Sequence, residues 1–359
     1  MSSQLVLQVQ HVLSLGFENP EAIIGRCQLN ITDASTSHFV VMEVSPKLRV
    51  YGGQTSEPDA VITIPLASLE LIAAHSEQVD FRDPSVIGTI QLQGDRVLAS
   101  YFGKLMLKPS QDTMNRLDPL LERKCEAYAI QSIERVESIT ELELLQTLAD
   151  CKPIVITNPK VPTPYHQWSL EKLVEKYGDV ALIVRSIDEQ ETMGEFITRM
   201  QQAQPTHGKI TEGHTKAYTE GCTLPDVMGE EFVPPYFSLH DYIEPQIWLG
   251  NVPTHIAASS LHRDPLDGFL YQVMGRKKLL MYAPDQAPYL YPMKAYNNYQ
   301  PCWVKPETPD LKRYPDFAKA RPIEVVLAPG EMLIQPAGWF HVVYCLDTPT
   351  FSVSHFYRH

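Results

Sequence analysis

The stretch His262-Arg-Asp-Pro-Leu-Asp-Gly-Phe-Leu-Tyr-Gln-Val-Met-Gly-Arg-Lys-Lys-Leu-Leu-Met-Tyr282 decides how the C-terminal part of this chain is read. Two short apolar runs, Phe269 to Val273 and Leu279 to Tyr282, flank a Met-Gly-Arg turn, which is the punctuation of strands rather than of helices. From Tyr236 onward the same pattern continues, with short apolar runs alternating with Pro and Gly turns and no long helical period. That spacing predicts a small β-barrel or a double-sheet jelly roll.

On a strand, residues two apart face the same side, so His262 and Asp264 are expected to present an imidazole and a carboxylate together. A bare His-x-Asp is weak evidence, because 12 histidines among 43 acidic residues produce such pairs by chance. His75-Ser-Glu77 is one of them: it ends the predicted helix Leu66 to Ser76, where side chains two apart are expected to diverge. Three other features raise the weight of His262 and Asp264. Lys277 follows the Gly275 turn into a strand, where an inward ammonium can pair with a carboxylate ligand; the plain alternative is a solvated hairpin tip. The segment Val325 to His341 reads strand, Pro-Gly turn, strand, Pro-x-Gly turn, and then an aromatic-flanked His341, which taken alone is an ordinary core histidine. Tyr218 and Ser259 lie upstream with hydroxyls for the same carboxylate. Two imidazoles and one carboxylate on adjacent strands can hold one face of a ferrous ion and leave other positions open for a cosubstrate and dioxygen, so these residues point to an oxygenase.

Composition sets the frame around that site. A chain of 359 residues with 44% hydrophobic content supports two domains with sizeable cores. Its formal charge of −13 works against nonspecific nucleic-acid binding, which depends on Lys and Arg neutralising phosphates. Cys27, Cys125, Cys151, Cys222, Cys302 and Cys345 are scattered without a Cys-x-x-Cys pair, so they read as reduced thiols rather than a zinc ribbon or disulfide framework. The first residues lack a basic, then apolar, leader, and no apolar run approaches the ~20 residues of a membrane span. A soluble, cytoplasmic protein is the expectation.

In the N-terminal part, Phe39 to Val44, Leu48 to Tyr51 and Ala60 to Ile64 read as a meander of antiparallel strands. An amphipathic helix follows from Leu66, and Thr89 to Asp95 reads as a hairpin with a Gly-Asp turn. Asp-Ala-Val-Ile-Thr-Ile-Pro65, the helix and Gly88-Thr-Ile-Gln-Leu-Gln-Gly-Asp-Arg96 resemble the sterol-carrier-protein-2 family, whose strand, helix and hairpin surround an apolar cavity. The resemblance implies an SCP2-like α+β domain over residues 1–108, with residues 109–125 as a linker or short helix. Residues 126–359 then form the C-terminal domain, in which Cys151 to Thr157 is a short buried strand. Trp168 to Gly178 is a helix capped by Ser169, a strand runs from Val180 to Arg185, and a second helix covers Thr192 to Met200.

The order of C-terminal motifs is Trp248-x-Gly250, Ser259, His262-Arg-Asp264, Gln272-Val-Met-Gly275-Arg-Lys277, Pro284-Asp-Gln286, Leu290-Tyr-Pro292, Pro329-Gly-Glu331 and Pro336-Ala-Gly-Trp-Phe-His341. It resembles the JmjC and cupin-8-like oxygenases, akin to the asparaginyl hydroxylase called factor inhibiting hypoxia-inducible factor. The resemblance implies an α+β chain whose C-terminal double-stranded β-helix binds Fe(II) through His262, Asp264 and His341. It also implies that Lys277, assisted by Tyr218 and Ser259, pairs with the distal carboxylate of 2-oxoglutarate. Two positions depart from the family pattern: Gly268 and Ser354 replace asparagines, which leaves the metal-side carboxylate with fewer donors and room for water. The implied reaction is hydroxylation of an amino-acid side chain of a protein or peptide. The alternatives are hydroxylation of a lipid or acyl-linked molecule presented by the N-terminal domain, and a noncatalytic cupin-like binding protein. For the N-terminal domain itself, an apolar ligand stands against a role in docking or homodimerisation.

Overall fold

The structure, a computed structural model, describes residues 2–34, 36–79, 89–182, 191–202 and 217–357. It divides into two compact units. The first comprises Met1–Asn115, Tyr291–Trp303 and Leu311–Pro315; the second comprises Arg116–Leu290, Val304–Asp310 and Asp316–His359.

The first unit opens with a helix, Ser2–Leu15, that buries Leu5, Val9 and Leu13, one residue per turn of a single face. Its sheet contains β1 (Gly25–Asp33), β2 (Thr36–Ser45), β3 (Lys47–Gly52), β4 (Ala60–Pro65) and β5 (Gln91–Gly94), in the order β3-β2-β1-β4-β5. This is not the meander expected from the sequence. β1 inserts between β2 and β4 and pairs parallel with β4, because Cys27, Leu29 and Ile31 need covering on one face while both of its edges are hydrogen-bonded. The Gly-Asp turn is also different. Gly94 ends β5, Asp95 caps the helix Arg96–Leu105 by accepting from the amides of Val97 and Leu98, and β5 pairs with β4 instead of turning back on itself. The side chain of Asp95 is better used on orphan helix amides than in a hairpin. The helix Leu66–His75 is present, but His75 leaves helical geometry at its end, and its Nδ1 comes within 3.3 Å of Glu77 Oε1. The expected divergence of that pair fails because the chain tightens there into a 3₁₀ turn; Lys108 at 3.5 Å completes an ordinary ion-pair cluster.

The segment read as a linker or short helix forms a helix, Gln111–Glu122, with Pro119 inside it; its residues up to Asn115 count with the first unit and the rest with the second. In the second unit the strands are β6 (Glu134–Val136), β7 (Ile154–Ile156), β8 (Ala181–Leu182), β9 (Glu191–Thr192), β10 (Cys222–Thr223), β11 (Tyr242–Gly250), β12 (Ala257–Arg263), β13 (Asp267–Met274) and β14 (Lys277–Tyr282). After β15 (Gln300–Pro301), which lies on the stretch belonging to the first unit, come β16 (Ile323–Leu327), β17 (Met332–Gln335), β18 (Phe340–Cys345) and β19 (Thr350–Tyr357). One sheet runs β10-β11-β19-β13-β17-β7-β6; the other contains β12-β18-β14-β16. Two sheets of this kind make the jelly roll that the turn spacing predicts.

The main sheet has two different faces. Phe269, Tyr271, Met332, Ile334, Phe351 and Val353 pack outward against the helices Leu170–Tyr177 and Met193–Gln202, forming one core. Ser169 caps the first of these helices by accepting from the Lys172 amide. The expected strand from Val180 to Arg185 is described over Ala181–Leu182, and its remainder falls outside the described residues. The opposite face looks toward the second sheet, where Leu333, Leu279, Met281, Val325 and Val343 form a second core. Polar side chains collect on this inner face beyond that core.

Candidate metal centre and anion pocket

His262 and His341 lie directly opposite one another on β12 and β18, so their side chains share a face. Asp264 follows the end of β12, and its Oδ2 is 3.8 Å from His262 Nε2 and 3.7 Å from His341 Nε2. Each imidazole has its other nitrogen against a carbonyl two residues earlier: Nδ1 of His262 is 2.6 Å from Ser260 O, and Nδ1 of His341 is 3.2 Å from Trp339 O. With Nδ1–H donating to these carbonyls, both rings turn an Nε2 lone pair toward Asp264. Two ligands on one ion with bonds of about 2.0–2.2 Å stand at most ~4.4 Å apart, and the observed separations fall within that span. Burial, and then the neighbouring His262, hold His341 well below the usual histidine range, so it is neutral at pH 7 and keeps its lone pair. The three residues form a metal-capable cluster among the described residues.

The turn delivering His341 is pinned to the loop carrying Asp264. The amide of Gly338 donates to Asp264 O at 2.8 Å, and that of Ala337 donates to the buried Asp267 carboxylate at 2.8 Å. Gly338 has φ +81°, and Trp339, fully buried, donates its indole N–H to Cys151 O. Pro-x-Gly-Trp is thus a bracket as well as a turn signal.

Lys277 is not a solvated hairpin tip. It begins β14 only 1% exposed, and its ammonium donates to Ser352 Oγ at 2.5 Å and to Tyr218 OH at 3.3 Å, and lies over the Trp248 ring, 5.6 Å from its centroid. No carboxylate among the described residues pairs with it, and burial pushes its pKa down to about 8. The approach is built by the preceding turn: the Gln272 amide donates to Met274 O and Gly275 O, and Arg276 forms a two-pronged pair with Asp347. Tyr218 arrives by a different route, as an isolated bridge to Gly250, whose missing side chain lets the two backbones touch. Burial raises the Tyr218 phenol well above its ordinary value, which keeps it a hydrogen-bond donor.

Ser259 is half-buried on β12 opposite Val343, and the hydroxyl found beside the ammonium is that of Ser352 instead. Ser352 is absent from the residues read from the sequence, although Phe351-Ser-Val-Ser-His355 alternates apolar and hydroxyl residues in a strand buried from Thr350 to His355. Ser354 accepts from the Trp248 indole at 2.9 Å. His355 faces the outer core beside Tyr242, away from the triad, while His240 and His255 are exposed.

Residues 140–359, more than half of the chain, match the family described as Cupin-like domain. The chain belongs to that family. Among curated relatives of this cupin-like chain, lysine-specific demethylase 8 of Danio rerio is 30% identical over 219 residues, 59% of this chain and 47% of the relative. HSPB1-associated protein 1 of Rattus norvegicus is 35% identical over 31% of this chain and 23% of its own length. tRNA wybutosine-synthesizing protein 5 of Danio rerio is 28% identical over 58% of this chain and 69% of its own. The matches thus span less than half the length of the first two relatives. For the N-terminal region a solved structure, that of palmitated SCP2L2 from Aedes aegypti, is similar over 30% of this chain and 95% of that one, at 23% identity and a TM-score of 0.25. No helix among the described residues is long and apolar enough to cross a membrane.

Proposed function

We propose that this cupin-like protein is an Fe(II)- and 2-oxoglutarate-dependent oxygenase that hydroxylates an amino-acid side chain of a protein or peptide. The observation that carries the reading is the pairing of a His-Asp-His cluster with a buried ammonium that has no carboxylate partner among the described residues. Burying a cation is costly unless an anion joins it, so the pocket is incomplete without an acidic ligand. A dicarboxylate can place one end at Lys277 and the other near the triad. His262, Asp264 and His341 would hold the iron; Lys277, Tyr218, Ser259 and the additional Ser352 would receive the distal carboxylate.

Iron with 2-oxoglutarate supplies dioxygen activation and C–H oxidation when bound. The chain's own part is to bind and orient. With Nδ1–H of each ring turned to the carbonyls of Ser260 and Trp339, two Nε2 lone pairs and one carboxylate share a single face. Protonated Lys277 and the neutral Tyr218 phenol can both donate to an anion, and Trp248 covers the ammonium with an indole face that keeps water from it.

The substrate class follows the resemblance to the hydroxylase branch, and the net charge of −13 speaks against nonspecific nucleic-acid binding. Purified protein supplied with ferrous iron and 2-oxoglutarate should form succinate slowly without added substrate, and an Asp264→Ala variant that keeps its fold should not. Absence of both succinate and tight iron binding would remove the enzyme reading in favour of a ligand-binding cupin. Mass spectrometry of interacting peptides for a gain of one oxygen, compared with His341→Ala, then identifies the substrate.

A further inference from the structure

A buried amide faces the triad from the neighbouring strand. Gln335 closes β17, is 6% exposed, and lies directly opposite Gly268 of β13. Its Nε2 is 2.9 Å from Nδ1 and 3.3 Å from Nε2 of His341. In the tautomer that turns Nδ1–H to the Trp339 carbonyl, the longer of the two contacts, to Nε2 at 3.3 Å, is the one in which the amide meets a lone pair. A metal ion takes that same lone pair. Once it does, Gln335 keeps two N–H donors in a buried position beside the ion and loses the acceptor they faced, and a buried donor needs a partner.

Position 268 leaves the adjoining space open. A Cβ there would meet Gln335 Cβ and O at 3.7 Å, which is ordinary contact, so glycine is not forced by crowding, and its backbone is outside the left-handed region. The side chain that fills this part of the wall therefore comes from β17. We propose that Gln335 donates to the metal-side carboxylate of the α-keto acid, exchanging the ring of His341 for the anion when metal and cosubstrate bind. This inference rests on the oxygenase reading above.

Calorimetric titration of the manganese(II)-loaded full chain with 2-oxoglutarate tests it without turnover. Gln335→Leu should bind manganese as the wild type does and 2-oxoglutarate about tenfold more weakly, the effect of losing one charge-assisted hydrogen bond. Gln335→Glu, of the same shape, should be weaker still because it sets a carboxylate against a carboxylate, and it carries the test if the leucine variant does not fold. Combining Gly268→Asn with Gln335→Ala should restore most of the affinity, since it moves the amide across the strand pair. Unchanged 2-oxoglutarate affinity in Gln335→Leu overturns the inference. So does a loss of manganese affinity alone, which would make Gln335 a positioning residue for His341. Wild-type protein that binds manganese but no 2-oxoglutarate removes the oxygenase reading itself, and the inference with it.

Discussion

Replacing Lys277 by methionine should stabilise the ligand-free protein at neutral pH while destroying its anion pocket. Burial lowers the lysine from 10.5 to about 8, and at 1.36 kcal/mol per unit its charge costs the fold ~3 kcal/mol. Methionine removes that cost and fills a similar volume. Against it, Ser352 and Tyr218 each lose the ammonium as a partner, at about 1 kcal/mol apiece, which leaves a net gain of ~1 kcal/mol. For a unit of this size that is a rise in melting temperature of about 2–4 °C. The pH dependence is the sharper signature. Between about pH 8 and 10.5 the unfolded chain binds more protons than the folded one, so the wild type gains stability as pH rises through that window, and the deficit is complete only below it. Urea unfolding at pH 7 and pH 10.5 should therefore show the variant ahead at the lower pH and behind at the higher, a swing of about 3 kcal/mol. In the presence of manganese and 2-oxoglutarate the wild type should gain stability, whereas the variant should not. A variant less stable than wild type by the same margin at both pH values would refute the claim that Lys277 is a buried, uncompensated cation.

Three further outcomes follow from the same geometry. Gly250→Ala places a Cβ 2.0 Å from Ala217 O and 2.6 Å from Tyr218 Cα at a φ of +146°; it should cost about 3 kcal/mol or more and weaken 2-oxoglutarate binding, measured by melting temperature and calorimetry together. Asp267→Ala removes the acceptor of the Ala337 amide and loosens the bracket before His341, so metal affinity should fall roughly tenfold in a competition titration with a chelator. His355, with both ring nitrogens lacking a hydrogen-bond partner among the described residues, is pushed down to about 4 by burial. The wild type should then lose stability as pH falls from 6.5 toward 4, by about 2 kcal/mol at pH 5, and His355→Phe should flatten that loss; parallel acid profiles for the two proteins would exclude it.

The jelly roll was legible because its turns are chemically marked. Gly275, Gly330 and Gly338 all adopt positive φ and each precedes a strand; the apolar runs suggest the first two of those strands. The three residues of the metal-capable cluster could be named from their motifs, but Asp264 lies just past the end of β12, so it is the loop after the strand and not the strand period that brings it beside His262. What could not be read was partnership across strands. Ser352 reaches Lys277 through the neighbourhood of β14, β11 and β19, which no local spacing encodes, and Gln335 looked like one more residue before a Pro-x-Gly turn. The first unit was less legible still, because the place of β1 between β2 and β4 depends on a parallel crossover rather than on any turn.

The register of β12 shows why spacing alone would mislead here. On a regular strand His262 and Ser259, three residues apart, point to opposite faces, so they could not both line one cavity. Yet Ser259 pairs with Val343 and His262 with His341: three steps on β12 oppose two on β18. The odd residue is a bulge, and it reverses the parity of everything beyond it. A second irregularity lies between Ala257 and Ser259, where two steps oppose one. Val343 shares its face with His341, so the bulge turns Ser259 toward the side of the strand that carries the metal cluster. Deleting one residue between Ser259 and His262 would leave all the motif residues in the sequence and put either the hydroxyl or the imidazole on the wrong side. The site is consequently a property of the misfit between two strands, and a search for its residues by spacing finds it only when the irregular strand is counted as it folds.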